Sequence, residues 1–167
     1  MWALRKIHEW MGSLQTALQV DVQNKVEMTK AVSKIKDGDF LLQDPGRAFL
    51  RDGDLVKKSG RTRRLTAYRF FLFSDVLLYA NKEVDGRYTV HEELPLHLMK
   101  VVDWFPPSMK NRDLTLEIHH PRKKFQVVCS SKDERKTWVQ DIRSAVKQEI
   151  VRKMKVEAAR LAAYTQG

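Results

Sequence analysis

Residues 69–79 read Arg69-Phe70-Phe71-Leu72-Phe73-Ser74-Asp75-Val76-Leu77-Leu78-Tyr79. Two short runs of aromatic and aliphatic residues meet at Ser74-Asp75, and such bounded runs predict strands: Leu65 to Ser74 and Val76 to Asn81. Asp85-Gly86, between Val84 and Tyr88, marks the hairpin that follows. Upstream, Leu55-Val56 lies in a first strand; downstream, strands are expected at 88–94, 97–104, 113–119 and 124–129, interrupted at Pro106-Pro107 and His120-Pro121. Seven short, closely spaced strands predict a small antiparallel barrel or sandwich.

Helical patterns flank the strands. Leu4, Ile7, Met11, Leu14, Leu18, Val22 and Val26 recur at spacings of three and four, and Val32 and Ile35 extend the stripe, predicting one long amphipathic helix over 2–36. Asp37-Gly38-Asp39 is expected to end it, with the glycine in the left-handed conformation. Residues 40–50 read as an irregular connector broken at Pro45-Gly46. At the other end, Ser131 and Glu134 form a capping box, and Trp138, Ile142, Val146 and Ile150 fall four apart on one stripe. Beyond Arg152 the helix is expected to project or fray. The stripe on 2–36 cannot be buried by the helix alone, so it needs a partner surface.

The chain has 167 residues and a formal net charge of +10. Residues 1–50 carry seven basic and six acidic residues, 51–130 fifteen and ten, and 131–167 nine and five, so the positive field belongs to the middle and the end. Such a field points to a polyanionic partner. No apolar run approaches the roughly eighteen residues of a spanning helix, and Met1 to Leu18 does not read as a signal peptide. A single cysteine, Cys129, excludes an internal disulfide framework and fits a reducing compartment, so the cytosol is expected.

Four pieces in order resemble a pleckstrin-homology (PH) domain: Gly53-x-Leu55-x-Lys57, Arg69-Phe70-Phe71-Leu72-Phe73, Asp75-Val76-Leu77-Leu78-Tyr79 and Trp138-x-x-x-Ile142. The resemblance implies a mainly β (α+β) fold, a seven-stranded antiparallel barrel capped by a C-terminal helix, over residues 51–150. A helical extension or tail would follow at 151–167. The stretches GRAFLRDGDLVKKS (46–59) and FFLFSDVLLY (70–79) are similar to Rho-family guanine nucleotide exchange factors, in which a Dbl-homology (DH) domain ends in a long helix running into a PH domain. Residues 1–38 would then be that last helix and 39–50 the linker. The DH helices that engage the GTPase in that family have no counterpart here, so the chain is not expected to be an enzyme or to catalyse exchange by itself.

From Lys57 to Arg69 there are six basic residues, Lys57, Lys58, Arg61, Arg63, Arg64 and Arg69, and no acidic one. Strand alternation sets Lys57 in phase with Leu55, and Arg69 in phase with Phe71 and Phe73. If all of these apolar residues fill the barrel, Lys57 and Arg69 converge at its open end, with the loop arginines between them. Arg122-Lys123-Lys124 would border the same end, and Lys123 joins the expected headgroup set. Convergent Arg and Lys suit phosphate. PH domains that bind phosphoinositides commonly have a basic residue two before the second-strand arginine; here it is Ala67, so the resemblance implies weak, broadly anionic binding. Five or six basic residues at about 1 kcal/mol each give a Kd of roughly 0.05–0.2 mM.

Other chemistry finds no footing in the sequence. His119 and His120 are adjacent and diverge on a strand, as do Glu92 and Glu93, and His8, His91 and His97 lack ligand spacing to Cys129. There is no phosphate-cradling glycine loop and no G-x-S-x-G. No catalytic residue, metal or cofactor is expected. A recognition-helix motif is absent and the aromatics read as core, so nucleic acid is not an expected partner. Trp138 is read as core, whereas Trp2, Trp10 and Met11 would face an absent DH core, the barrel or a second copy. The expected partners are anionic phospholipid headgroups at a peripheral membrane surface, with a Rho-family GTPase, a DH domain or a second copy through helix 2–36 as the alternative.

Overall fold

The computed structural model describes residues 1–167. Helix α1 (Trp2–Ser33) leads into strands β1 (Phe49–Ser59), β2 (Leu65–Phe73), β3 (Val76–Lys82), β4 (Tyr88–Pro95), β5 (Lys100–Val102), β6 (Thr115–His120) and β7 (Lys123–Val128). Helix α2 (Lys132–Thr165) follows. The strands form one antiparallel sheet in the order β4-β3-β2-β1-β7-β6-β5. Long β1 is the hinge of this sheet: it pairs with β2 from Phe49 to Lys58 and with β7 from Val56 to Ser59.

The sheet curls around one core. Leu55, Phe70, Leu72, Tyr79, Ile118 and Phe125 come from five strands, yet they belong to a single buried cluster with Trp138 and Ile142 of α2. Strands β4 and β5 are the two ends of the hydrogen-bonded order. Leu96 and Met99, in the segment between those strands, join the same core. Gly53 permits a close approach of β1 to α2, because a β-carbon there would lie 3.1 Å from the Trp138 ring. This is the seven-stranded antiparallel fold capped by a C-terminal helix that the PH resemblance implied; the strand pattern alone left barrel or sandwich open.

A second core lies on the outer face of β2 and β3. Phe71, Phe73, Val76, Leu78 and Ala80 are buried there beneath Met28, Ala31, Val32 and Ile35 at the end of α1 and Leu41 after it. Strand β2 is thus buried on both faces, which explains its unbroken apolar run. Helix α1 stops at Ser33, not at residue 36, because the following residues pair with β4. The Lys36 N–H donates to the Tyr88 carbonyl at 2.8 Å and the Tyr88 N–H to the Lys34 carbonyl at 2.9 Å. The left-handed residue of this exit is Asp37 (φ 54°) rather than Gly38. Gly38 is needed for space: a β-carbon there would stand 3.1 Å from that of Ile35.

Two further segments differ from the sequence expectation, whereas the helix expected to project or fray beyond Arg152 projects. The connector contains a 3-10 turn at Gly38–Leu42, and β1 begins at Phe49. Strand β5 is only three residues long, so most of 97–104 is turn or loop. Helix α2 continues unbroken to Thr165 and is exposed from Val151 onward. Half of the capping box forms: the Glu134 N–H donates to Ser131 Oγ at 3.1 Å, while the Glu134 carboxylate turns to the Ser130 hydroxyl.

Candidate anion-binding site

The β1–β2 hairpin is closed by its own backbone. The Ser59 N–H donates to the Arg64 carbonyl at 2.9 Å, and the Arg63 N–H returns to the Ser59 carbonyl at 3.0 Å. The Thr62 N–H donates to Ser59 Oγ at 3.2 Å. Arg63 adopts a left-handed backbone (φ 57°), a conformation that costs a side-chain-bearing residue roughly 1–2 kcal/mol. Gly60 meets β7 so closely that a β-carbon would stand 2.4 Å from the Lys124 carbonyl oxygen. The turn therefore holds Arg61, Arg63 and Arg64 exposed while its base is pressed onto β7.

Period-two alternation then divides the cations. Lys57 shares the inner face with Leu55. Its ammonium lies 5.0 Å from the Phe125 ring centre and 5.4 Å from that of Tyr79. Burial pushes the Lys57 pKa down, with the nearby Lys123 charge adding to the effect and Glu92 opposing it. Lys123 also points inward, where its ammonium sits 2.7 Å from Glu92 and donates to the Tyr79 hydroxyl at 3.2 Å. The hydrogen bond to Glu92 raises the Lys123 pKa despite partial burial. Tyr68 and His91 complete this aromatic mouth, with ring centres 4.9 and 5.5 Å from Tyr79.

Lys58 and Lys124 face the other way. Together with Arg61, Arg63, Ser59 and Gln126 they line an open cleft of about 440 Å³ on the outer surface of β1 and β7. Glu117 is its single carboxylate, and it accepts hydrogen bonds from Gln126 at 3.1 Å and from His119 at 2.5 Å, with Lys124 at 3.5 Å. Burial opposes ionisation of Glu117, but these donors together hold its carboxyl below the usual range.

Arg69 does not reach either place. It is in phase with Phe71 and Phe73 as expected, but those rings pack on the outer face beneath α1, so Arg69 lies outside the barrel while Lys57 lies inside. Its guanidinium is 3.1 Å from Asp52 and 3.2 Å from Asp54. The expected convergence of Lys57 and Arg69 is therefore corrected. The structure brings Lys58, Arg61 and Arg63 together at one cleft and puts Lys57 with Lys123 at the mouth. Arg64 stays exposed on the hairpin, outside the residues lining the cleft. Lys124, named in the sequence only as part of a basic triplet, is the added member of the cleft. Its signal was available: β7 alternation sends Lys123 and Lys124 to opposite faces.

The curled antiparallel sheet, its capping helix with an early tryptophan and its cation-bearing first hairpin define a PH-type barrel. The PH domain family model matches residues 49–147, and the chain belongs to that family. It is 32% identical over 152 residues to mouse FERM, ARHGEF and pleckstrin domain-containing protein 2, covering 86% of this chain and 13% of that protein. It is 36% identical over 101 residues to mouse FYVE, RhoGEF and PH domain-containing protein 5, covering 60% of this chain and 8% of that one. The chain thus spans a small part of the length of the curated relatives it matches. Among solved structures, the linker-DH/PH domains of p115-RhoGEF superpose with a TM-score of 0.62 at 13% identity. That match covers 84% of this chain and 44% of the other, a larger share than the PH region alone.

Proposed function

We propose that this chain is the non-catalytic PH module of a Rho exchange factor-like protein, cytoplasmic and peripheral at membranes, where it binds anionic phospholipid, phosphoinositide included, weakly. The observation that carries this reading is electrostatic. Lys57, Lys58, Arg61, Arg63 and Arg64 lie within one hairpin, and none has an ion-pair partner in the protein, whereas Arg69 and Lys123 do. Cations left unpaired at about 1 kcal/mol each near an anionic surface retain a protein already close to it. This fits a module that supports localisation or regulation alongside other domains. Sedimentation with phosphatidylcholine vesicles doped with phosphatidylserine or phosphatidylinositol bisphosphate tests it. Binding is expected to rise with anionic lipid, fall with salt and disappear on charge reversal at Lys58, Arg61 and Arg63. Unchanged binding by that triple variant overturns the reading.

A second reading, protein interaction, is favoured by α1. Trp2 and Trp10 are 72% and 67% exposed, and Leu4, Ile7, Met11 and Leu14 are also open to solvent on the same helix. Such a stripe suits a DH domain, a Rho-family GTPase or a second copy of the chain. Light scattering and pull-down with Rho-family GTPases test it. A strictly monomeric chain that captures no GTPase and no DH domain removes this reading.

A further inference from the structure

The geometry points to a docking groove for an acidic amphipathic helix, running between β5 and α2 and out along the free end of α2. It uses neither the cationic hairpin nor α1, so it stands independently of both readings above.

Helix α2 passes from core to solvent along its length. Trp138, Ile142 and Ala145 are buried in the barrel, whereas Ile150 and Val151 are exposed. These two, with Val146 of α2, Val101 of β5 and Met99 just before it, form the apolar floor of a groove of about 460 Å³. The floor continues past the end of the sheet. Val151, Met154, Ala158 and Leu161 follow at spacings of three and four, which keep side chains on one face of a helix. Met154 and Leu161 are 66% and 58% exposed. At 1.5 Å per residue the stripe from Val146 to Leu161 is roughly 22 Å long, about four helical turns. The β5 edge beside it is closed to an added strand. The Val101 carbonyl accepts from Arg143 at 3.1 Å, and the same guanidinium donates to both Asp103 oxygens at 2.8 and 3.2 Å. An extended segment would have to displace this group, so the groove suits the side chains of a helix.

Charge selects the polar face of the partner. Lys100 and Lys147 line the groove, and Lys153 and Lys155 flank Met154 on either side of the stripe. None of these four is paired, because the ion pairs here use other residues: Arg143 with Asp103, Arg152 with Glu149 and Arg160 with Glu157. An apolar stripe bordered by free cations is complemented by a helix whose own apolar stripe is bordered by carboxylates. A second copy of the chain does not supply one. Its α2 would bring the same cations, and residues 2–26 of its α1 carry three basic and two acidic residues. Nor does a lipid surface that holds the β1–β2 hairpin. Arg152, midway along the stripe, is close enough to Asp75 to feel its charge, and Asp75 follows the far end of β2 from that hairpin. The nine residues of β2, roughly 30 Å, separate the two.

The full chain is titrated, by fluorescence anisotropy, into a labelled peptide of about 18 residues with leucines at helical spacings of three and four and glutamates at the flanking positions. A second peptide carries lysines in place of the glutamates. The glutamate peptide is expected to bind and the lysine peptide not to. Met154→Glu is expected to weaken binding by about tenfold or more, since it sets a carboxylate against the apolar face of the peptide. Met154 belongs to neither core, so the Tm of this variant should match the parent. Lys147→Glu combined with Lys155→Glu is expected to transfer binding to the lysine peptide, and Leu14→Glu on α1 to change nothing. Failure of the glutamate peptide to bind, or equal binding by the parent and Met154→Glu, overturns the inference. Equal binding of the two peptides overturns it too, because acidity then selects nothing. Dimerisation that Met154→Glu abolishes in light scattering overturns it in favour of a second copy. Sedimentation with phosphatidylserine vesicles that the same variant abolishes overturns it in favour of a lipid surface.

Discussion

The Arg69 guanidinium bridges two carboxylates of the neighbouring strand, 3.1 Å from Asp52 and 3.2 Å from Asp54, on the face of the sheet opposite Lys57. Asp52 in turn lies 3.1 Å from Lys34, so the bridge ties the residue after α1 to the barrel wall. Arg69 is thereby held through Asp52 on the same face as the end of α1, with both of its partners supplied by β1. Arg69→Gln is expected to cost about 1–2 kcal/mol, between the values for exposed and buried pairs, because Asp52 keeps Lys34 as a partner. That corresponds to a fall in Tm of roughly 2–8 °C by circular dichroism. Vesicle sedimentation of the same variant should match the parent once its single lost charge is allowed for. A collapse of binding with an unchanged Tm would return Arg69 to the anion site.

Gly60 gives a separate test of the hairpin. A β-carbon 2.4 Å from the Lys124 carbonyl cannot be accommodated by a side-chain rotation, since the obstacle is backbone. Gly60→Ala must lift the hairpin from β7 and part the two cleft walls. The expected cost is about 1–3 kcal/mol, as for other overpacked sites, read from urea unfolding with an unchanged m-value. Inositol trisphosphate binding should weaken although no charge has been removed.

The barrel was legible in the sequence for a definable reason, and the site was not for another. The residues 65–81, the Asp85-Gly86 hairpin and the Trp138 stripe each carry local chemistry that specifies an element, and Trp138 is buried as read. The phase of Phe70-Phe71-Leu72-Phe73 is a different matter. A strand covered on both faces has no polar alternation, so nothing local says which parity faces inward. If Phe71 and Phe73 fill the barrel, Arg69 goes inward with them; the α1 end that covers Phe71 instead lies more than thirty residues earlier in the chain. Lys124 was hard to place for a related reason. Its contact with Gly60 depends on β1 pairing with β7, a register that only the folded sheet sets. Lys57, by contrast, is legible as inward, because Leu55 fixes the phase of β1 from two residues away.

Cys129 reports on the integrity of the inner core. It is buried beside Trp138 and Val139 in the barrel cluster, and burial, with Glu134 adding to it, pushes its thiol up to about 11 from 9.0. A pKa raised on folding contributes stability that is complete below about 9 and is lost as pH climbs through about 11. Urea midpoints should therefore be flat through neutral pH with respect to this group and decline across that window, and Cys129→Ala should remove this part of the decline. In the native protein the thiol should resist iodoacetamide at pH 8 and react fully once urea is added.

Helix α1 divides into a supported part and an unsupported one, and truncation should expose the boundary. Its buried residues begin at Met28, with Ala31 and Val32 after it and Ile35 beyond the helix, whereas Trp2 through Val26 leave the large apolar side chains exposed. Removing residues 1–20 deletes no member of either core. That variant should keep the barrel's Tm within a few degrees and lose any concentration-dependent association seen by light scattering. Removing residues 1–36 is different. It strips Met28, Val32 and Ile35 from the outer core, at about 1.5–3 kcal/mol each, and uncovers Phe71, Phe73 and Leu78 on β2 and β3. It also deletes Lys34 from Asp52 and frees the β4 edge at Tyr88. A fall in Tm of more than about 10 °C, with aggregation through the bared sheet face, is expected for this second variant. Equal stability of the two truncations would mean that the outer core does not hold α1.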